Sequence, residues 1–195
     1  MSVGRPAKFD ADRILDAAAA VAAEGGQGAV TVTAVAARLG APSGSIYHRY
    51  GSRDLLLAHL WIRTVRRFQE GFLEAARTPD PVEAVRRTAA HTVRWSAEHP
   101  DEARLLLRHH VDELRLAWPT ELGEELSRLN AASMAAMGRI AAGCGHGDLR
   151  RVVFALVDVP LAAVRRHLRA GEGSPGEVTR MVETAALAVV LESDL

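Results

Sequence analysis

The sequence predicts an all-α protein, with a small N-terminal helical domain joined to a larger helical one. Ala, Leu, Arg and Glu, which are strong helix formers, dominate the 195 residues. Aromatic residues make up only 5% of the chain, and no alternation of apolar and polar residues persists long enough to predict a strand. Apolar residues recur instead at helical spacing, as in the ladder Leu57, Trp61 and Val65.

The first sixty residues contain three short helical patterns and the start of a long one. Residues 1–9 form an unpatterned arm, and Asp10 or Asp12 begins the first helix, which the glycines of residues 25–28 end. Thr31 stands where the second helix needs an N-cap, and Gly40 stops that helix.

The third helix begins after Gly40 and ends at Gly51. Its start is open between two alternatives, with Pro42 as the first helical residue or Ser43 as the cap. Beyond it we expect longer helices at about 53–77, 81–98, 101–117, 119–142, 148–170 and 176–192. Within the unusually apolar run 152–164, Pro160 is expected to kink the helix.

Charge and cysteine content limit the functional classes. The net charge is zero, so an interaction with nucleic acid has to rest on a local surface rather than on a global field. Cys144 is the single cysteine, which excludes an intrachain disulfide and is compatible with a reducing cytosol. The chain lacks an apolar signal core, and its longest apolar run is too short to span a bilayer. We therefore expect a soluble, cytoplasmic protein without a membrane partner.

The pattern of residues 31–60 predicts a helix-turn-helix, in which two short helices cross at a glycine turn and the second enters the major groove of DNA. Ser43, Gly44 and Ser45 lie at the predicted exposed start of that second helix. Small residues there let the backbone approach a phosphate, which a helix N-terminus favours. Tyr47 and His48 follow on the exposed side, with donors that reach a phosphate or a base edge.

Over residues 10–60 the sequence resembles the TetR family of bacterial transcription regulators. The resemblance is carried by the first-helix residues 14–18, by Thr31, Val35, Ala36, Gly40, Gly44, Ile46, Tyr47 and Tyr50, and by the run 52–56. It implies a DNA-binding domain at residues 1–53 and a ligand-binding and dimerisation domain at residues 54–195. Three positions depart from the family pattern, namely Pro42, Tyr50 and Ala22.

The resemblance also implies roles for individual residues. Thr31, Tyr47 and Arg53 correspond to phosphate contacts, and Arg53 stands where the family commonly has lysine. Ser43, Ser45 and His48 lie where the family contacts bases or adjacent phosphates, and Gly44 between them is part of the same predicted DNA-binding surface. Tyr50 is expected in the core.

For the larger domain, the resemblance implies a cavity for a small effector and a homodimer made by the last two helices. We expect the effector to be mainly apolar, and its candidate contacts are Trp61, His91, Trp95, His110, Met134, Met137, Phe154 and Asp158. The candidate dimer contacts are Val157, Leu161, Val164, Val182, Ala186 and Val189, from two helices that are apolar around most of their circumference.

The predicted function is a repressor that binds a palindromic operator in double-stranded DNA and is released by the effector. An activator of the same fold and a helical adaptor that binds no DNA remain alternatives. The sequence contains no P-loop, no G-x-S-x-G and no H-E-x-x-H, so we predict neither an enzyme nor a cofactor. The pair His109 and His110 is read as a surface pair rather than a metal site, because adjacent helical residues point about 100° apart.

Overall fold

The structure is a computed structural model that describes residues 10–108, 118–145, 148–170 and 174–192, and these residues form helices and turns without a strand. The helices are α1 (Ala11–Gly25), α2 (Val32–Leu39), α3 (Ser43–Tyr50), α4 (Arg53–Ala75), α5 (Pro81–Glu98), α6 (Pro100–Arg108), α7 (Thr120–Gly143), α8 (Leu149–Val153), α9 (Val159–Ala170) and α10 (Pro175–Leu191). A 3₁₀ turn (Gln27–Ala29) precedes α2, and a π-helical turn (Phe154–Asp158) joins α8 to α9. The all-α prediction is confirmed.

Most helix starts are fixed by side chains that accept hydrogen bonds from the first free N–H groups. Asp10 accepts from the amide of Arg13 at 2.8 Å, and Ser52 accepts from the amide of Leu55 at 3.1 Å. Helix α10 begins with a capping box in which Ser174 and Glu177 satisfy each other's backbone. The predicted boundaries that fall on described residues are reproduced to within about two residues.

The helix predicted for residues 101–117 is seen as α6, which begins at Pro100 and is described to Arg108. The rest of this prediction, including His109 and His110, lies outside the described residues, as does the arm of residues 1–9. The effector contact predicted for His110 therefore remains a prediction.

A π-helical turn over Phe154–Asp158 ends two residues before Pro160, where the sequence predicts a kink. Proline has no N–H to donate to the carbonyl four residues earlier, and its ring crowds that carbonyl. A wider turn over Phe154–Asp158 relieves both problems, and the flanking residues Val153 and Val159 keep right-handed helical dihedrals. The α8, π-helical and α9 segments consequently follow one another without a break in the helical backbone.

Two apolar cores meet along α4. We call α1–α3 the head and α4–α10 the body. The first core joins Ile14, Val35 and Ile46 of the head to residues of the first half of α4 and to Leu105, Leu122 and Leu126 of the body. The second core lies among α4, α5, α7, α9 and α10 and includes Phe72, Val85, Met137, Val164 and Val182. The predicted domain boundary at residues 53 and 54 remains a prediction, because α4 contributes to both cores.

Helices α4 and α7 run in the same direction. Successively later residues of α4 contact successively later residues of the segment that starts at Trp118 and continues through α7. Trp61 meets Trp118 with ring centroids 5.6 Å apart, Arg66 pairs with Glu125, and the amide of Gln69 donates to Asn130 at 3.3 Å.

Among the described residues, no helix combines the length and apolar character that crossing a membrane requires.

Candidate nucleic-acid interface

The start of α2 presents a hydroxyl to solvent. Thr31 is exposed, and its Oγ1 accepts a hydrogen bond from the amide of Ala34 at 3.0 Å, so the predicted N-cap is confirmed. Val32 and Val35 are buried and hold α2 against the head's core. The Thr31 hydroxyl keeps its own proton free to donate outward, which is the geometry that a phosphate contact needs.

The turn between α2 and α3 depends on one left-handed residue. Gly40 has φ +62° and ψ +34°, a conformation that costs other L-residues energy. The amide of Ala41 donates to the carbonyl of Ala36 at 2.9 Å, which closes the end of α2. This turn fixes the angle at which α3 leaves α2.

Helix α3 has one buried face and one exposed face. Ile46 and Tyr50, one turn apart, are buried, and the Tyr50 hydroxyl donates to the carbonyl of Ala11 at 3.2 Å. This bond explains why a tyrosine is accommodated in the core, and burial raises the pKa of its hydroxyl. The predicted contact residues Ser43, Gly44, Ser45, Tyr47 and His48 are all exposed, with Tyr47 52% exposed.

The N-terminus of α3 lacks the side-chain cap that α1, α2 and α4 possess. Pro42 occupies the cap position and Ser43 is the first helical residue, so neither of the two predicted arrangements is found. The amide of Ser45 donates to the carbonyl of Pro42 at 3.0 Å. A Cβ added at Gly44 would meet nothing within 4 Å. Uncapped N–H groups in open space favour an anion at this helix end.

Arg53, predicted as a phosphate contact, also makes hydrogen bonds within the protein that the sequence did not predict. Its Nε donates to the carbonyl of Val30 at 2.7 Å, and its Nη2 donates to the carbonyl of Gln27 at 2.8 Å. Its Nη1 lies 3.4 Å from the carboxylate of Asp54. The guanidinium thus holds the α1–α2 connection, its side chain stays 40% exposed, and the phosphate contact of Arg53 remains a prediction.

One exposed residue was missed by the sequence reasoning. Thr33 is exposed in the first turn of α2, two residues after Thr31 and on the other side of the buried Val32. The polar–apolar–polar pattern Thr-Val-Thr at residues 31–33 could have indicated that Thr33 is exposed while Val32 is buried. Arg38, also exposed on α2, pairs with Glu24 at 2.7 Å, so part of the head's positive charge is compensated by an acidic neighbour.

The candidate effector contacts are divided between the interior and the surface of the body. Trp61, Trp95 and Met137 are buried, and half-buried His91 shares a 2.9 Å hydrogen bond through Nε2 with the carbonyl of Phe68. Burial lowers the pKa of His91. These four residues remain predicted contacts.

Met134, Phe154 and Asp158 are exposed, so their assignment to an internal pocket is corrected. Met134 points about 60° to one side of Met137 on α7, which takes it out of the buried stripe.

The candidate dimer contacts also separate by direction. Val164, Val182 and Ala186 are buried in the chain's own core, so they cannot contact a second chain and this part of the prediction is corrected. Val157, Leu161 and Val189 are half-buried and remain candidates.

The segments that carry these candidates also expose large apolar side chains that were not assigned to the dimer. Phe154 is 51% exposed, Met181 69% and Leu191 44%. We call Phe154, Val157, Leu161, Met181 and Leu191 the outer face.

Comparisons with known proteins agree with this geometry. Residues 14–60 match the model of the family described as bacterial regulatory proteins, tetR family. Comparison with curated protein sequences gives no match. Among solved structures, a tetR-family regulatory protein from Rhodococcus RHA1 is similar with TM-score 0.72 and 23% identity, covering 94% of this chain and 97% of that one.

Two further structures are similar over nearly their whole length. A transcriptional regulator from Rhodococcus sp. has TM-score 0.75 and 18% identity, with 94% of this chain and 96% of that chain covered. The transcriptional regulator FadR from Bacillus subtilis, solved in complex with stearoyl-CoA, has TM-score 0.70 and 18% identity, with 93% and 98% covered. These likenesses show the shared fold, and the family match coincides with the helix-turn-helix. Residues 14–60 therefore match the tetR family model, and the chain as a whole shares the fold of solved regulators of that family.

Proposed function

We propose that this protein is a homodimeric repressor that binds a palindromic operator through α3 and dissociates when a small, mainly apolar molecule binds in the body. The observation that carries the proposal is the exposed, uncapped start of α3. There, small polar side chains face outward while Ile46 and Tyr50 anchor the opposite face in the core. This arrangement supports insertion into a major groove, with backbone N–H groups close to a phosphate.

Within this proposal, Thr31 and Tyr47 bind phosphates, whereas Ser43, Ser45 and His48 reach base edges or adjacent phosphates. Gly44 gives the backbone room to approach. Phosphate contacts position the protein and base contacts select the sequence. Tyr47→Phe is therefore expected to weaken binding nearly equally across operator variants, while Ser45 or His48 substitutions change base preference as well.

A homodimer is supported by the outer face. Large exposed apolar side chains that cluster on one side of a protein mark an interaction surface. Residues of α9 and α10 meet beside this face, where Ala163, Arg166 and Met181 line a cleft of about 520 Å³. A second copy that covers the same face makes a symmetric contact and places two α3 helices for two operator half-sites.

An apolar effector is supported by the aromatic interior of the body. Trp61 packs on Trp118, and Phe68 packs on Trp95 with ring centroids 5.2 Å apart. FadR from Bacillus subtilis, which shares this fold, was solved with stearoyl-CoA, so fatty acyl compounds are sensible first probes. An effector releases DNA only if it binds the DNA-incompetent state more tightly. The coupling expected from such regulators is on the order of 1–3 kcal/mol.

The proposal is tested by selection from random double-stranded DNA, followed by footprinting on the enriched sequence. We expect a dyad whose half-sites are about 34–36 Å apart, one turn of DNA. Failure to enrich any dyad contradicts operator binding. Transcription in vitro from a promoter overlapping the dyad then separates repression from activation.

Effector release is tested by titrating fatty acids and acyl-CoA esters of different chain lengths while tryptophan fluorescence and operator affinity are followed. Because linkage is reciprocal, a compound that weakens DNA binding must itself bind more weakly in the presence of operator, by the same factor. Absence of any fluorescence change, with operator affinity unaltered, contradicts an apolar effector of this class and leaves DNA binding intact.

A further inference from the structure

The connection between α1 and α2 is held against the start of α4 by a single side chain. Arg53 is the first residue of α4, and its guanidinium donates to the carbonyls of Val30 and Gln27 at 2.7 and 2.8 Å. These carbonyls lie at the two ends of the 3₁₀ turn, since the amide of Val30 also donates to the carbonyl of Gln27 at 3.1 Å. The bonds therefore fix the turn as a unit.

This turn leads directly into the proposed phosphate contact. Val30 is followed by Thr31, the N-cap of α2, so the position of the Val30 carbonyl determines where the Thr31 hydroxyl lies. Val30 itself is fully buried and provides a firm support. A displacement of Arg53 would consequently move the N-terminus of α2 relative to α3 and α4.

The same bonds leave Arg53 poorly disposed for a phosphate. Nε and Nη2, which form one edge of the guanidinium fork, both point at backbone carbonyls. Nη1 lies beside the carboxylate of Asp54, which offsets part of its charge. A planar fork holds two acceptors at once, whereas the single ammonium of lysine is a point charge and does not reproduce this geometry.

We propose that Arg53 is a positioning residue for operator binding, which places Thr31 and the N-terminus of α2 against the phosphate backbone without contacting a phosphate itself. The proposal rests on the DNA binding proposed above. It assigns to this side chain a function that lysine cannot perform, so the exchange of arginine for lysine at this position is not conservative.

Two single variants separate positioning from direct contact. Arg53→Ala is expected to weaken operator binding about 10-fold or more, while the slope of log affinity against log salt concentration stays unchanged, because no phosphate charge is lost. Arg53→Lys is expected to bind as weakly as Arg53→Ala. A direct phosphate contact gives the opposite result, namely a slope reduced by about 0.9 for each head and recovery of affinity with lysine. That result overturns the proposal.

A double-mutant comparison separates positioning from a general loss of structure. Thr31→Asp keeps a capping acceptor but repels a phosphate, and its effect is expected to shrink several-fold in the Arg53→Ala background. The effect of Tyr47→Phe on α3 is expected to remain the same in both backgrounds. If the effects of Thr31→Asp and Tyr47→Phe on operator affinity shrink equally in the Arg53→Ala background, Arg53 supports the head's structure in general, and the proposal is contradicted.

Hydrogen exchange of the DNA-free protein tests the geometry without relying on operator binding. Amides of residues 27–31 are expected to exchange faster in Arg53→Ala and Arg53→Lys than in the wild type, while those of α5 and α10 are unchanged. Unaltered exchange at residues 27–31 overturns the positioning role even if DNA binding is demonstrated. If the wild type selects no operator but the exchange result is as expected, it is the proposed DNA binding that fails.

Discussion

The exposed face of α3 and the outer face of the body differ in almost every chemical respect. The first is made of small polar residues around a free helix N-terminus, followed by the larger exposed side chains of Tyr47, His48 and Arg49. The second is made of large apolar residues, among them Phe154 and Met181. Both faces sit on helices whose opposite sides are firmly packed.

The difference indicates two kinds of partner. Free N–H groups and hydroxyls exchange water for phosphate oxygens with little loss, so the α3 face suits a charged polymer. An apolar face gains free energy when it leaves water, so the outer face suits another apolar surface. The comparison predicts that charge and salt act mainly on one face and burial mainly on the other.

Salt concentration provides the largest expected contrast. If basic side chains of the two heads, such as the exposed Arg49 of α3, together neutralise six or more phosphates, operator affinity falls by about 10³-fold or more between 50 and 200 mM salt. The dimer dissociation constant is expected to stay constant or decrease over the same range. Fluorescence anisotropy of labelled operator and analytical ultracentrifugation measure the two constants. If operator binding and dimerisation both weaken to the same extent as salt rises, the two faces do not divide into one contact governed by charge and one governed by apolar burial.

Adjacent residues on α10 test the outer face itself. Val182→Asp places an unpaired charge in the core and is expected to cost more than about 4 kcal/mol of unfolding free energy. Met181→Asp is expected to leave the monomer folded but to weaken the dimer about 100-fold, since Met181 points outward. Thermal melting and sedimentation distinguish these outcomes. A Met181→Asp protein that remains fully dimeric removes the outer face as the dimer contact.

The head could be predicted from its sequence in considerable detail. Its helices are short, and each is delimited by local chemistry, such as the Thr31 cap and the left-handed Gly40. The buried residues of the head pack into one nearby core, so the sequence pattern correctly placed Ile46 and Tyr50 on the buried side of α3. The hydrogen bonds of Arg53 could not be predicted, because its acceptors are carbonyls 23 and 26 residues away whose position depends on how α1 and α4 pack.

In the body, the direction in which each helical side chain points was predicted less well than the helices themselves. Helix α10 is apolar on several sides, so its pattern does not reveal that Val182 and Ala186 face α5 while Met181 faces out. The π-helical turn over Phe154–Asp158 adds to the uncertainty, because it rotates the residues that precede it relative to α9. Phe154 and Asp158, assigned to a pocket from composition alone, consequently lie on the surface.

A pair of glycines tests the α3 face. Gly44→Glu places a negative charge in the first turn of α3, where it stabilises the helix slightly but repels a phosphate. We expect operator affinity to fall about 100-fold, or about 2.7 kcal/mol, with melting temperature unchanged or raised. Gly123→Glu is the matched control, because α7 also starts after an uncapped proline, Pro119, and a Cβ at Gly123 meets nothing within 4 Å. Equal losses in both variants contradict a specific role for the α3 start.

The smallest expected effect concerns the interior of the body, which belongs to neither face. Burial lowers the pKa of His91 below its ordinary value, and the imidazole lies so close to Gly71 that no Cβ fits there. In the range between the lowered pKa and the ordinary one, near 6.5, the unfolded chain binds the proton and the folded chain does not. The stability contributed by neutral His91 is therefore present above about pH 6.5 and is lost as pH falls through that range. The slope cannot exceed about 1.4 kcal/mol per pH unit for one group.

His91→Gln removes this titration and is expected to reduce the decline of unfolding free energy between pH 7.5 and 5.5. A residual decline is expected from His59, whose pKa burial also lowers while Glu125 opposes the shift. His59→Gln with His91→Gln should flatten the profile further, because the two side chains titrate in different places, one beside Tyr50 and the other beside Phe68. Urea unfolding at a series of pH values measures the slope. If His91→Gln follows the wild-type profile throughout, protonation of His91 does not contribute to acid destabilisation, and the decline belongs to other groups.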